Sequence, residues 1–291
     1  MSILLNGDCL ELLDTIEDNS VDFIFCDLPY ATGKFGKCVS CEWDKPIDLV
    51  KLWDKLMKKK KINTPIFMSC NVKLGYDLIS TAPKKCPFRY ELIWVKSMPA
   101  GFLNAKKMPM RKHELIYVFY EKLPMYDLSS HKHKFLKEED IRKDKHNTAY
   151  GDNIHYHNNN QKNGESIYNP PLPNSVIKED CYNYKDRVDN GKLKETGNAQ
   201  FEGANGQPLY EPPLPNSLLE VKSTRGKHST EKPVDLIKWL LKYYSKEGDI
   251  VLDPTMGSGS TGVACKEMKR DFIGIEMNPE IYEVAVNRIE V

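Results

Sequence analysis

Apolar residues cluster in short unbroken runs along the first part of the chain: residues 21–26, 64–69, 90–95 and 115–120 are rich in β-branched and aromatic side chains and carry few charges. Such runs predict strands buried on both faces, as in a parallel sheet flanked by helices. From about residue 121 to 227 the pattern dissolves into Asn, Gly, Pro, His and Lys with no sustained period, which predicts an insert with little core of its own. Pattern returns at 228. Val234, Ile237, Leu240 and Leu241 follow a helical spacing within 232–244, and Pro233 lies near the start, where proline is tolerated. Residues 249–253 predict a strand, 259–269 a helix, 272–276 a second strand and 279–289 a closing helix. Strand, glycine loop, helix, strand is the order of a doubly wound α/β sheet. The expected organisation is therefore 1–120 and 228–291 as two halves of one α/β domain, with 121–227 inserted.

The insert holds an internal duplication. Tyr168-Asn-Pro-Pro-Leu-Pro-Asn-Ser returns as Tyr210-Glu-Pro-Pro-Leu-Pro-Asn-Ser, 42 residues later. Two copies are too few for a solenoid. Either one copy is a Pro-rich docking segment and the other surplus, or both present similar surfaces to a partner.

Composition narrows the class. With 40% hydrophobic and 10% aromatic residues over 291 positions, the chain reads as globular. No apolar run approaches the roughly 18 residues needed to span a bilayer, and the first residues lack a basic segment followed by an apolar one, so a cytoplasmic location is expected. The eight cysteines are scattered, several within apolar runs, which suits reduced core thiols. Cys38-x-x-Cys41 is the one close pair and has no second pair at zinc spacing, so it reads as a plain reduced loop and no metal is expected.

The loop Asp253-Pro-Thr255-Met-Gly257-Ser258-Gly259-Ser260 sits where a strand ends and a helix begins. Glycines there let a ligand approach the backbone, and free amides at a helix start favour polar ligands. Glu276 ends the next strand, 23 residues after Asp253, where an acid accepts both hydroxyls of a ribose. Without a Gly-Lys-Ser/Thr the loop is not a phosphate-cradling P-loop; a dinucleotide and an adenosine with a charged tail both fit. Asp253 taken alone also reads as a strand-end cap.

At the end of the second predicted strand stands Asp27-Leu28-Pro29-Tyr30. The exocyclic amine of a nucleobase is a poor nucleophile because its lone pair is delocalised into the ring. Accepting its two N–H bonds, one on the Asp27 carboxylate and one on the Leu28 carbonyl, favours a more tetrahedral nitrogen able to attack a methyl group. Pro29 stiffens the turn, and the Tyr30 ring offers a stacking face to an extruded base.

These residues resemble the amino-methyltransferases of DNA, whose catalytic tetrapeptide is Asp/Asn/Ser-Pro-Pro-Tyr/Phe. The likeness extends through Asn6-Gly-Asp8-Cys9, Trp94-Val-Lys96, Arg111-Lys112-His113-Glu114, His228-Ser-Thr-Glu-Lys232-Pro233 and Ile273-Gly-Ile-Glu276, in order. The tetrapeptide precedes the glycine loop, which resembles the circularly permuted β-class of that family. The resemblance implies a Rossmann-like sheet, S-adenosylmethionine as methyl donor, and a base flipped from double-stranded DNA as acceptor. It implies that Asp8 contacts the cofactor's adenine, Glu276 its ribose, and Gly257, Ser258 and Gly259 its methionine end, with Lys232 and Pro233 closing over the methionine. Cys9, Asp27, Asp253, Thr255, Ser260, Met277 and Asn278 complete the expected cofactor set. Leu28 replaces the usual first proline but still offers its carbonyl, and Thr255 replaces a common aromatic. An acid at position 27 points to adenine N6, with cytosine N4 as the alternative. His113 and Glu114 also read as residues that pin a loop to the neighbouring strand, and Trp94 as core. A dimer is a family-level expectation.

Formal net charge is only +1, yet residues 51–112 hold fifteen bases against three acids. That excess suits phosphate contacts, with Lys106, Lys107, Arg111 and Lys112 nearest the predicted site. The insert balances sixteen bases with sixteen acids, so target recognition there would rest on base-edge contacts. The rivals are methylation of an RNA or protein amine, and a DNA-binding module that keeps the fold without the chemistry.

Overall fold

The computed structural model describes residues 1–30, 46–100, 111–127 and 231–290, with isolated short segments between 129 and 221; side chains of 97–100 and 112 are outside the description. Cys38, Cys41, Lys106, Lys107 and most of both duplicated segments lie outside the described residues. The chain divides into two compact units, one of Met1–Asp127, Ser175–Cys181 and Ser217–Val291, the other of Leu128–Asn174 and Tyr182–Asn216. In the second unit the described elements are two short antiparallel pairs, β6 (Lys132–His133) with β7 (Tyr168–Asn169) and β8 (Val188–Asp189) with β9 (Lys192–Leu193).

The first unit is built on an eight-stranded sheet. Its strands are β1 (Ser2–Asn6), β2 (Phe23–Asp27), β3 (Ile66–Cys70), β4 (Phe88–Ala100), β5 (Arg111–Phe119), β10 (Glu220–Val221), β11 (Ile250–Asp253) and β12 (Asp271–Glu276). They lie in the order β1-β12-β11-β2-β3-β5-β4-β10. All pairs are parallel except those of β5, which runs antiparallel to both β3 and β4. The expectation of four parallel strands in the first 120 residues is thus corrected at 115–120. Its apolar run matches the others because burial on both faces, not direction, sets that pattern. What reverses β5 is its long hairpin pairing with β4, which carries the chain straight back.

Helices cover both faces. On one, α1 (Cys9–Leu12), α2 (Leu49–Lys59) and α3 (Val72–Thr81) enclose a core of Ile24, Cys26, Leu28, Leu52, Trp53, Leu56, Ile66, Met68 and Leu252. Each such side chain fully withdrawn from water contributes roughly 1.5–3 kcal/mol. On the other face lie α4 (Val234–Tyr244), α5 (Ser260–Glu267) and α6 (Pro279–Glu290). There Phe67 meets Tyr244, and Tyr90 and Tyr244 hydroxyls join at 2.7 Å. Pro233 occupies the N-cap of α4, as its position in the sequence predicts. Cys9, Cys26, Cys70, Cys86 and Cys265 are free and buried. Among the described residues no helix is long and apolar enough to cross a membrane.

Candidate active site

β11 leads to β12 on one side of the sheet, whereas β2 leads to β3 on the other, so the chain diverges between β11 and β2. At such a switch point the loops leaving the two carboxyl ends part and open a crevice. Asp253 ends β11 and Asp27 ends β2, and the two strands are direct neighbours through Leu252 and Ile24. The two halves of the sequence therefore meet where the permuted motif order requires.

Register decides which side chains share this crevice. Asp27 is opposite Ser69, Ser69 opposite Ile116, and Trp94 opposite Glu114. Opposed residues share a face and the face recurs every second residue, so Asp27, Ser69, Glu114, Trp94 and Lys96 form one row on the α4 side. The contacts agree. The Tyr30 hydroxyl is 2.8 Å from the Ser69 hydroxyl and donates at 3.3 Å to Glu114. Lys232 donates to both Asp27 oxygens at 2.7 Å and lies 3.4 Å from Glu114, whose second oxygen pairs closely with Lys96. The Lys232 ammonium also lies 5.6 Å from the centre of the Tyr30 ring.

These surroundings tune the acids differently. Burial pushes the Asp27 carboxyl above its ordinary range, against the pull of Lys232. Burial opposes ionisation of Glu114 too, but Lys232 and Lys96 together hold it below its usual value. Burial likewise keeps the Tyr30 phenol neutral. Leu28 packs its side chain into the α1–α3 core at 2% exposure.

The glycine loop is held from three sides. Asp253 is buried and accepts from the Thr255 backbone at 3.1 Å and the Thr261 hydroxyl at 2.6 Å, so its bonds are those of a strand-end cap. Arg288 of α6 donates to the Ser258 carbonyl at 2.7 Å, to its hydroxyl at 2.8 Å and to Glu231 at 2.5 Å. Ser260 donates to Glu231 as well. Both serine hydroxyls are thus engaged in shaping the loop. Gly257 and Gly259 have φ of 53° and 86°, in the left-handed region that favours glycine.

Glu276 accepts from Gly257 N–H at 3.1 Å and Asn278 N–H at 2.8 Å, one on each oxygen. A carboxylate fixed this way suits a vicinal diol. A side chain added at Gly257 would meet nothing within 4 Å, which marks the open side of the loop, and the Thr255 hydroxyl is buried without a partner. Both features fit an adenosine-bearing cofactor with a polar tail. Asp8, exposed beside Glu276 at the end of β1, caps α1 through Leu10 N–H at 2.8 Å. Cys9 follows, buried, its thiol pushed up to about 12 by burial. Met277 is exposed, whereas the Asn278 side chain caps α6.

Sequence reading brought Asp27, Tyr30, Lys232, Asp253 and Glu276 to one region and missed others. Ser69 and Lys96 are visible as partners only through strand register, and Glu231 and Arg288 only through the packing of α6. Part of the positive charge of residues 51–112 is neutralised within the fold. Lys55, Lys59, Lys60 and Lys61 pair with Asp14, Asp18, Glu121 and Asp22 at 2.6, 2.5, 3.0 and 2.7 Å, and Lys59 and Lys60 are buried. Those acids lie outside the 51–112 window, so these pairs answer four of its twelve excess positive charges across the fold. Of the four expected phosphate contacts, Arg111 is exposed at the start of β5.

A family model described as DNA methylase matches residues 21–287. The chain belongs to this N6/N4 DNA methylase family. Among the family's curated members it is 25% identical to the type II methyltransferase M.HinfI of Haemophilus influenzae, over 99% of this chain and 68% of that one. It is 49% identical to M.HindIII of the same species over 67 residues, which is 23% of this chain and 22% of that protein. In fold it resembles M1.HpyAVI, solved as a complex with SAM, at 18% identity with a TM-score of 0.57 over all of both chains. It also resembles the cytosine-N4-specific PvuII DNA methyltransferase, at 14% identity and a TM-score of 0.59 over 99% of this chain and 86% of that one. The sheet described above is the Rossmann-like fold of these methyltransferases.

Proposed function

We propose that this protein transfers a methyl group from S-adenosylmethionine to the N6 amine of an adenine flipped out of duplex DNA. The observation that carries the reading is the carboxylate of Asp27 at the switch point, on the face and edge of the sheet that also present Tyr30, Lys232 and Glu276. When bound, the cofactor supplies a methyl group on a positively charged sulfur. Glu276 holds the ribose hydroxyls, Asp8 and Cys9 border the adenine, and the open side of Gly257 receives the methionine end, with Thr255 donating from its buried hydroxyl.

Asp27 and the Leu28 carbonyl accept the two N–H bonds of the target amine and free its lone pair. As nitrogen bonds the methyl carbon, the methyl–sulfur pair returns to sulfur and the extra proton leaves nitrogen for water. Positive charge grows on nitrogen during this step, so a carboxylate hydrogen-bonded to it stabilises the transition state more than the ground state. Tyr30, kept neutral and held by Ser69 and Glu114, gives the base a fixed stacking face. The unit around 121–227 is assigned target recognition and the cytoplasm the reaction.

Cytosine N4 is the second reading, since its amine is chemically alike and a protein of the same fold is named for it. Incubation of duplex DNA with labelled methyl donor tests the reaction. Label in DNA that is lost in Asp27→Ala supports it; no label, or label that survives the substitution, contradicts it.

A further inference from the structure

Lys232 stands between two carboxylates, donating to both oxygens of Asp27 at 2.7 Å and pairing more loosely with Glu114 at 3.4 Å. With both Asp27 oxygens engaged, a target amine bonded to either one shares the carboxylate with a positive charge that opposes its own activation. A buried ammonium that left Asp27 for an apolar surrounding would be strongly unfavourable. Glu114 removes that difficulty. Its carboxylate lies 3.4 Å away on the same face of the sheet, already within ion-pair range, so it holds the Lys232 charge while the side chain swings off Asp27.

The other oxygen of Glu114 is clasped by Lys96, which fixes the carboxylate so that Lys232 is the partner that moves. Asp27, Glu114, Lys96 and Lys232 carry two negative and two positive charges, and the sum is zero wherever Lys232 sits. What changes is local: with Lys232 on Glu114, the Asp27 charge faces the nitrogen that becomes positive during methyl transfer. With Lys232 left on Asp27, its own charge opposes that development.

Resting on the methyl-transfer reading above, we propose that Glu114 is a positioning residue for the reaction, the second berth onto which Lys232 moves when the target amine takes its place on Asp27. Glu114 touches neither the amine nor the methyl group in this scheme; it acts through Lys232.

The test compares wild type with Glu114→Gln, which keeps shape and the Tyr30 contact but removes the charge. Single-turnover transfer of labelled methyl to unmethylated phage DNA is measured at saturating donor, and donor binding by equilibrium dialysis. The expected result is a rate about 100-fold lower with donor affinity within about threefold of wild type. Transfer at the wild-type rate, or a loss explained wholly by weaker donor binding, overturns the proposal.

Because Glu114 is largely withdrawn from water and ion-paired, a second measurement stands on the wild-type protein alone. In a crystal structure with sinefungin and a duplex carrying the modified sequence, Lys232 is expected on Glu114 and off Asp27. Lys232 still bonded to both Asp27 oxygens overturns the proposal. Wild type that labels no DNA contradicts the methyl-transfer reading instead, so the two failures are distinct.

Discussion

Three acids at one edge of the sheet are given different duties by their surroundings. Asp27 is about a quarter exposed and neutralised by a lysine, Glu276 is oriented by two backbone N–H groups, and Asp253 is buried with a hydroxyl and one backbone N–H. Burial, aided by the nearby Asp27 and Glu276 charges, pushes the Asp253 carboxyl up to about 7 from an ordinary 3.8. Between those values the folded state binds a proton that the unfolded state does not. This group therefore makes stability fall as pH rises from about 4 to 7, by up to about 1.4 kcal/mol per pH unit. The difference in unfolding free energy between wild type and Asp253→Asn is expected to carry that slope, and a difference independent of pH would refute the assignment. At Asp27, removal of the acceptor in Asp27→Ala is expected to slow methyl transfer about 100- to 1,000-fold at saturating donor, read in single-turnover labelling.

At the scale of elements, the glycine loop is shaped by close packing as much as by the ligand it would hold. A side chain at Gly259 would come within 2.9 Å of Ile289 and 3.1 Å of Ala285, and φ there is 86°. Gly259→Ala is expected to lower stability by about 1–3 kcal/mol, measured by denaturant unfolding, whereas Gly257→Ala meets only open space and its backbone preference. Most of this element structure was legible. β2, β3, β11, β12, α4 and α6 arise where apolar runs or helical spacing place them, because burial on one face or two leaves a period in the sequence. The reversal of β5 leaves none, since the same side chains are buried in either direction. Glu114 was legible as the end of the Arg111–Glu114 motif and as a residue that pins a loop to the neighbouring strand; its partners Lys96, Tyr30 and Lys232 come from three separate segments, and no local pattern connects them.

For the molecule as a whole, the distribution of charge differs from its tally along the chain. The lysines of α2 and the turn after it reach back to acids of residues 14–22 and forward to Glu121, so they tie the first helices to the sheet. Lys60, at 2% exposure, shows the consequence. Lys60→Ala is expected to lower stability by about 1–3 kcal/mol and leave the salt dependence of DNA binding unchanged; a phosphate contact would instead reduce that slope by about one.

A carboxylate at the switch point that activates the amine of adenine leaves its mark on the product. The most direct measurement is mass spectrometry of the nucleosides released from duplex DNA after incubation with the methyl donor. N6-methyladenine formed by the wild type and absent with Asp27→Ala is the expected result; N4-methylcytosine in its place, or N6-methyladenine formed equally by both proteins, rules that activation out.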